Sequence, residues 1–143
     1  MLLEEDLTYR LRGVLIRVSR QYGGGHKERV YQEACREAFA QAEVPFVAQP
    51  RVSVHSMDTG RTLATHIPDF VIAERIVVEL KAIPWIPPEA ATQLEQYLRV
   101  TTYEIGLLVN FGLPKVQIIR RICTNDRKPW MAKLATGRDT LNP

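Results

Sequence analysis

The run EIGLLVNF at residues 104–111 constrains the fold more than any other part of this chain. Its residues are almost all apolar, without the alternation of polar and apolar residues that is seen when one face of a strand meets water. The run therefore predicts a strand that is buried on both faces. A sheet with such a strand needs cover on both sides, and amphipathic helices usually provide it.

Three segments have the apolar spacing of such helices. In residues 7–18 and again in residues 30–42, apolar side chains recur at steps of three and four, which places them on one face of a helix. The glycine run at residues 23–25 separates the two helices, and Pro45 ends the second pattern. A third predicted helix follows two prolines, which are tolerated in a first turn, and covers residues 89–100.

The middle of the chain has the period of β-strands. Residues 51–57 alternate between apolar and polar side chains, and two further strand-like runs follow at 61–73 and 76–82. We interpret the three runs as an antiparallel meander. Residues 116–122 predict an edge strand. The predicted order is α-α-β-β-β-α-β-β, an α/β (α+β) fold in which helices flank a mixed sheet.

Length and composition favour one compact domain, because 143 residues with 45% hydrophobic content exclude disorder and fibrous repeats. We expect this domain over residues 1–122, and a surface tail at 123–143 that docks through Trp130. Acids precede the first helix where a signal peptide would be basic, and no apolar stretch reaches about 18 residues, which predicts a cytoplasmic protein without membrane contact. Cys35 and Cys123 are too far apart for a disulfide framework or a cysteine metal site.

Two acids lie inside otherwise apolar strand runs. If a hairpin turns at residues 73–75, Asp69 lies opposite Glu79, with Cβ atoms about 4.5–5.5 Å apart, and both project to one face. Lys81, two residues past Glu79, emerges on that face as well. A loop one residue shorter would instead place Asp69 opposite Leu80 and divide the group between two faces, unless a β-bulge restored it.

Paired carboxylates beside a lysine predict a particular chemistry. Two carboxylates side by side repel each other unless a cation lies between them, and oxygen ligands suit a hard cation such as Mg²⁺ or Mn²⁺. The metal can activate a water, and the lysine can orient it or stabilise negative charge in the transition state. Phosphodiester hydrolysis fits this arrangement. The alternative is a solvent-facing strand pair with a salt bridge, worth about 0–1 kcal/mol.

At these residues the sequence resembles the PD-(D/E)XK nuclease superfamily, and within it the small bacterial and archaeal proteins of the GxxExxY family. Residues 25–31 (GHKERVY) match G-x-x-E-x-x-Y as they stand. The resemblance covers roughly residues 14–122 and continues through four more ordered matches: PD at 68–69, IVVELKA at 76–82, QLEQYL at 93–98 and GLLVNF at 106–111.

The resemblance implies a restriction-endonuclease-like core and a set of site residues. In that superfamily the residues matching Asp69 and Glu79 ligate a metal ion, the helical glutamate matching Glu28 assists metal binding, and the residue matching Lys81 aids water activation. Gln93 matches a polar helical position near the active site.

Several of these residues have a second reading. Glu28 also suits the first turn of a helix, where an acid interacts favourably with the helix dipole. Tyr97 shares a helix face with Gln93, and it fits the core as well as a substrate-binding site. The chain has three histidines, His26, His55 and His66. They show no spacing typical of metal ligands, although His66 lies close to Pro68-Asp69.

The predicted function is divalent-metal-dependent hydrolysis of nucleic acid, with Mg²⁺ or Mn²⁺ as cofactor and DNA favoured over RNA. Superfamily members often pair to cut both strands, so a homodimer or higher homo-oligomer is expected by analogy. A net charge of +3 permits contact with a polyanion without requiring it. The alternatives are a non-catalytic nucleic-acid-binding or self-assembling structural protein on the same fold, since residues 116–122 could pair between subunits, and a site for another metal centre.

Overall fold

The computed structural model describes residues 4–112 and 114–135. Along the chain the elements are α1 (Glu5–Tyr22), α2 (Glu28–Gln41), β1 (Phe46–Ala48), β2 (Val52–His55), β3 (Thr62–His66), β4 (Phe70–Ile72), β5 (Ile76–Lys81), α3 (Pro88–Arg99), β6 (Ile105–Asn110), β7 (Gln117–Ile122), a 3-10 turn (Asn125–Arg127) and α4 (Met131–Ala135).

Five strands form the main sheet, in the order β1-β4-β5-β6-β7. The neighbours β5 and β6 are parallel, and the other pairs are antiparallel. Helix α3 makes the crossover that a parallel pair requires. All six residues of β6 are buried, and β7 forms one edge of the sheet. The predicted mixed α/β fold, with helices flanking the sheet, is confirmed.

Each face of the sheet has its own apolar core. On one face, the buried stripes of α1 and α2 pack against side chains such as Phe70, Ile72 and Val78. On the other face, the cluster contains Val52, Val71, Val77, Leu94 and Leu108, so α3 covers this side through Leu94. None of the helices in the described ranges has an apolar segment long enough to cross a membrane.

The predicted three-stranded meander is wrong. The run at 61–73 is interrupted at residues 67–69, and its two parts, β3 and β4, join different sheets. Pro68 explains the interruption, because proline cannot donate a ladder hydrogen bond. Strands β2 and β3 pair with each other as a separate two-stranded sheet. Strand β1 was not predicted, because its three residues are too few to show a period.

The hairpin between β4 and β5 has the predicted register. Ile72 pairs with Ile76 and Phe70 with Val78. The ladder ends at Phe70, and the side chain of the preceding residue, Asp69, accepts from the amide of Leu80, so the pairing of Asp69 with Glu79 stays a prediction. Two residues of the turn, Ala73 and Glu74, have φ angles of 51° and 60°, in the left-handed region that tight turns use. The shorter loop that would have divided the acids between two faces is excluded.

The segment after β7 docks through Trp130, as expected, and also contains helical turns that its sequence did not predict. Trp130 is fully buried, and its indole N–H donates to the carbonyl oxygen of Arg99 at 2.7 Å. Its ring stacks on His55 with the centroids 4.5 Å apart. The segment therefore joins the C-terminal end of α3 to the two-stranded sheet.

A buried lysine makes a second contact between this segment and the loop after α3. The ammonium group of Lys128 donates to the carbonyl oxygens of Thr101 and Tyr103, at 2.7 and 2.8 Å. Burial lowers the pKa of Lys128, although Cys123 and Glu104 oppose that change. The described part of the predicted tail, residues 123–135, thus packs against the rest of the chain, and the domain boundary at residue 122 stays a prediction.

Gly112 lies where a side chain cannot fit, so we expect Gly112→Ala to destabilise the fold by about 1–3 kcal/mol. A Cβ atom at this position would be 2.1 Å from the backbone oxygen of Ile83. The matched control is Gly13→Ala in α1, where a Cβ meets nothing within 4 Å. Alanine there should raise the free energy of unfolding by about 0.5–1 kcal/mol. Urea unfolding measures both, and equal midpoints for the two variants would contradict the close approach.

Candidate active site

A cavity of about 280 Å³ lies between β5, β6, α3 and the end of β3. It is lined by His66, Glu79, Lys81, Ala90, Gln93, Leu94, Tyr97 and Leu108. Four of the six predicted site residues are therefore brought together here. The other two, Glu28 and Asp69, are not among the lining residues.

Glu79 carries the cavity's carboxylate. Its Oε2 lies 2.7 Å from Nε2 of His66, and 26% of the Glu79 side chain is exposed. Burial raises the pKa of Glu79, and the neighbouring Asp69 carboxylate raises it further, while the His66 hydrogen bond and the charge of Lys81 act in the opposite direction. Burial is thus the main reason why the ionised form of Glu79 is disfavoured in this cavity.

The Asp69 carboxylate accepts two hydrogen bonds from the protein. Its Oδ2 accepts a hydrogen bond from the amide of Leu80 at 2.7 Å, and its Oδ1 accepts one from the side-chain amide of Gln32. The Gln32 contact links the hairpin to α2. Because two donors act on it, the Asp69 carboxylate has a defined orientation.

Glu28, the first residue of α2, lies within electrostatic reach of this group. Burial raises the pKa of Glu28, the Asp69 carboxylate raises it further, and Lys81 opposes both. Glu28 is therefore a first-turn glutamate and a neighbour of the predicted site residues at once. Asp69 and Lys81 therefore act on both Glu28 and Glu79 at this end of the sheet.

Comparison with known protein families supplies the assignment. The family model of the PD-(D/E)XK nuclease superfamily matches residues 5–122 of the chain. The chain belongs to the PD-(D/E)XK nuclease superfamily. The matched range begins with α1 and ends with β7, so it contains every residue of the cavity and its acidic surroundings.

This superfamily member was also compared with solved structures and with curated proteins. The crystal structure of an alkaline exonuclease (LHK-Exo) from Laribacter hongkongensis is 14% identical, with a TM-score of 0.46, and the match covers 95% of this chain and 81% of that chain. None of the curated proteins matches the chain.

PD-(D/E)XK nucleases generally use divalent metal ions, and the donor chemistry here fits such an ion. Carboxylate oxygens are the preferred ligands of Mg²⁺ and Mn²⁺, and burial together with the Asp69 carboxylate raises the pKa values of Glu28 and Glu79, a change that a bound cation would oppose. Within residues 4–112 and 114–135, however, no three acids, histidines or cysteines are arranged as a metal-binding group. The predicted ligand set of Glu28, Asp69 and Glu79 thus remains a prediction.

Two residues of this region were missed by the sequence prediction. His66 contacts Glu79 and lies edge-on to Tyr97, with ring centroids 4.8 Å apart. Its sequence signal was its position two residues before Pro68. The other missed residue is Gln32, which binds Asp69. It lies four residues after Glu28, so helical spacing alone places it on the same face of α2.

Tyr97 lies at the border between the core and the cavity. Its ring packs against the apolar cluster on the α3 side of the sheet and also lines the cavity. The hydroxyl is buried and makes no hydrogen bond within the described residues. Burial raises the pKa of Tyr97, and the charge of Glu79 raises it further, so this hydroxyl remains protonated and can donate to a bound molecule.

Proposed function

We propose that this superfamily member is a divalent-metal-dependent nuclease that hydrolyses phosphodiester bonds of nucleic acid, with DNA favoured over RNA. The observation that carries the proposal is the placement of Glu79 and Lys81 in one cavity, with the Asp69 carboxylate bound to the amide of Leu80, the residue between them. This is the juxtaposition of carboxylates and a lysine that phosphodiester hydrolysis needs.

The acids would hold the cation. Mg²⁺ or Mn²⁺, when bound, supplies positive charge against the phosphate and lowers the pKa of a water. Asp69 and Glu79 are the proposed ligands, and Glu28 assists them. The Leu80 amide keeps Asp69 oriented, and His66 orders Glu79 through Oε2, so neither carboxylate has to be ordered when a ligand arrives.

The remaining cavity residues would act on the substrate. The ammonium group of Lys81 orients the attacking water and stabilises negative charge that develops on the phosphate. Gln93 offers an amide donor from α3. Tyr97 offers a protonated hydroxyl without a partner among the described residues. These three donors bind and position a phosphate on the cavity side of the sheet.

A cleavage assay tests this function. Purified protein is incubated with labelled single-stranded DNA, duplex DNA and RNA, in Mg²⁺ or Mn²⁺ and in chelator. We expect at least one nucleic acid to be cut with either metal and none in chelator. If all three remain intact in both metals, the catalytic proposal fails.

Three further assignments accompany this proposal. The match of residues 25–31 to G-x-x-E-x-x-Y supports membership of the GxxExxY family, and the end of the matched range at residue 122 supports a domain boundary there. The third assignment is a cytoplasmic location, which is supported by the two cysteines, because both are free thiols and the cytoplasm is reducing.

A non-catalytic protein on the same fold is the second candidate. The observation that favours it is the position of β7 at one edge of the sheet that the described residues form, where it could pair with β7 of another copy and support a homodimer or a larger assembly. Light scattering measures the assembly. Nucleic-acid binding that is unaffected by chelator and by Asp69→Ala, without cleavage, would favour this candidate over the nuclease.

The raised pKa of Glu79 predicts how stability depends on pH. From its ordinary value of 4.5 up to the raised value, the folded chain keeps a proton that the unfolded chain has lost, so increasing pH lowers the free energy of unfolding. We therefore expect the stability of Glu79→Gln, relative to the native chain, to rise with pH across this interval in chelator.

Urea unfolding at several pH values measures this difference. Added Mg²⁺ should reduce it, because a cation bound to Glu79 favours the ionised carboxylate. Parallel stability curves for the two proteins would contradict the proposed environment of Glu79.

A further inference from the structure

Trp85 is a large aromatic side chain that the fold leaves in water. It is 66% exposed, whereas the other tryptophan, Trp130, is fully buried. The apolar clusters on the two faces of the sheet do not include it. Packing of the described residues therefore does not account for a tryptophan at this position.

The backbone that carries Trp85 is anchored on its N-terminal side. The side chain of Asn110, which is fully buried, accepts from the amide of Ile83 at 3.0 Å and donates to its carbonyl oxygen at 2.9 Å. The same side chain also accepts from the amide of Gly112 at 3.0 Å. Three hydrogen bonds on one buried amide thus define where the segment leaves β5.

The segment is also restricted beyond that anchor. Pro84 precedes Trp85, and Pro87 and Pro88 follow shortly after, so three φ angles here are fixed by proline rings. Ile86 is partly buried and packs against the cluster on the α3 side of the sheet. Trp85 is therefore presented to solvent by a constrained backbone, and ordering that backbone on a ligand costs little further conformational entropy.

The position of this segment relates it to the cavity. Lys81 and Ala90 both line the cavity, and residues 82–89 connect them. Ile86, the residue after Trp85, packs against the cluster that contains Leu94 and Leu108, which also line the cavity. The segment that carries Trp85 therefore begins, packs and ends at residues of the cavity that carries Glu79.

We propose that Trp85 is a stacking platform for an unpaired nucleobase of the strand that enters the cavity. This inference rests on the proposed function for its ligand class. Indole faces stack on any base, whereas bases inside a duplex are already stacked on each other. The site therefore selects single-stranded nucleic acid or frayed ends over intact duplex.

Tryptophan fluorescence in chelator tests the platform without cleavage. Because the chain has two tryptophans and Trp130 is buried, quenching by acrylamide reports mainly on Trp85. We expect a thymidine oligonucleotide to change the emission and to protect Trp85 from acrylamide, and a blunt duplex to do so far less.

Variants give the matched comparison. Trp85→Ala should weaken binding of the oligonucleotide by about 5- to 150-fold, the range expected for loss of one stacked base, and should weaken duplex binding much less. Trp85→Phe should keep most of the affinity. Tyr9→Ala, which removes another exposed aromatic ring from α1, should change neither affinity.

The outcomes separate this proposal from the nuclease proposal. Oligonucleotide binding that depends on Trp85, without cleavage in any metal, would retain the platform and reject the nuclease. Cleavage together with equal effects of Trp85→Ala on the binding of both nucleic acids would retain the nuclease and reject the platform. The platform is also rejected if no oligonucleotide binds, or if Trp85 is protected by self-association of the protein before nucleic acid is added.

Discussion

Glu79→Gln should reduce metal-dependent cleavage by about 100-fold or more, the loss typical of removing one strong electrostatic group from an active site. Glutamine keeps the size of the side chain and can still bond His66, so the change removes mainly the negative charge. Glu79 is the only carboxylate among the lining residues of the cavity, and no other described acid there can replace it.

The matched control is Glu95→Gln on the exposed side of α3, which should leave the cleavage rate unchanged. In chelator, Glu79→Gln should bind nucleic acid at least as well as the native chain, because it removes a charge that repels phosphate. Circular dichroism confirms that both variants fold. A Glu79→Gln variant that cuts at the native rate would show that the cavity is not the catalytic centre.

Trp130→Ala should destabilise the chain by about 3–5 kcal/mol, the usual loss for a buried tryptophan. The substitution removes the ring that stacks on His55 and leaves the carbonyl oxygen of Arg99 without its 2.7 Å donor. Because Arg99 is the last residue of α3, the same change should loosen the helix that carries Gln93 and Tyr97.

The same substitution at Trp85 is the control for this prediction. Trp85 is 66% exposed, so Trp85→Ala should change the free energy of unfolding by no more than about 0.5 kcal/mol. Urea unfolding of both variants gives the comparison. Equal and small effects would mean that residues 123–135 contribute little to the stability of the fold.

The parts of the fold with strong local signals were predicted correctly. The apolar stripes of α1 and α2, the paired prolines before α3 and the unbroken apolar run of β6 each carry a pattern that is set within a few residues. Of the two hairpin registers that the sequence left open, the one with the turn at residues 73–75 was correct, and Ala73 and Glu74 adopt left-handed conformations there.

The errors fall where the local pattern is short or ambiguous. Strand β1 has three residues, fewer than periodicity needs. Residues 61–73 look like one strand, yet Pro68 divides them between two sheets. The segment after residue 122 has no period, although Lys128 and Trp130 are buried, because these two side chains contact α3, the loop that follows it and His55, which are distant in sequence.

By itself, the sequence determined the fold class and the residue types suited to phosphodiester chemistry, because helix period and strand alternation both act over short distances. Only the tertiary structure decided that His66 contacts Glu79, that Gln32 holds Asp69 and that Trp85 remains exposed. Those contacts join residues from different helices and strands, and they depend on how α2, α3 and the two sheets pack together.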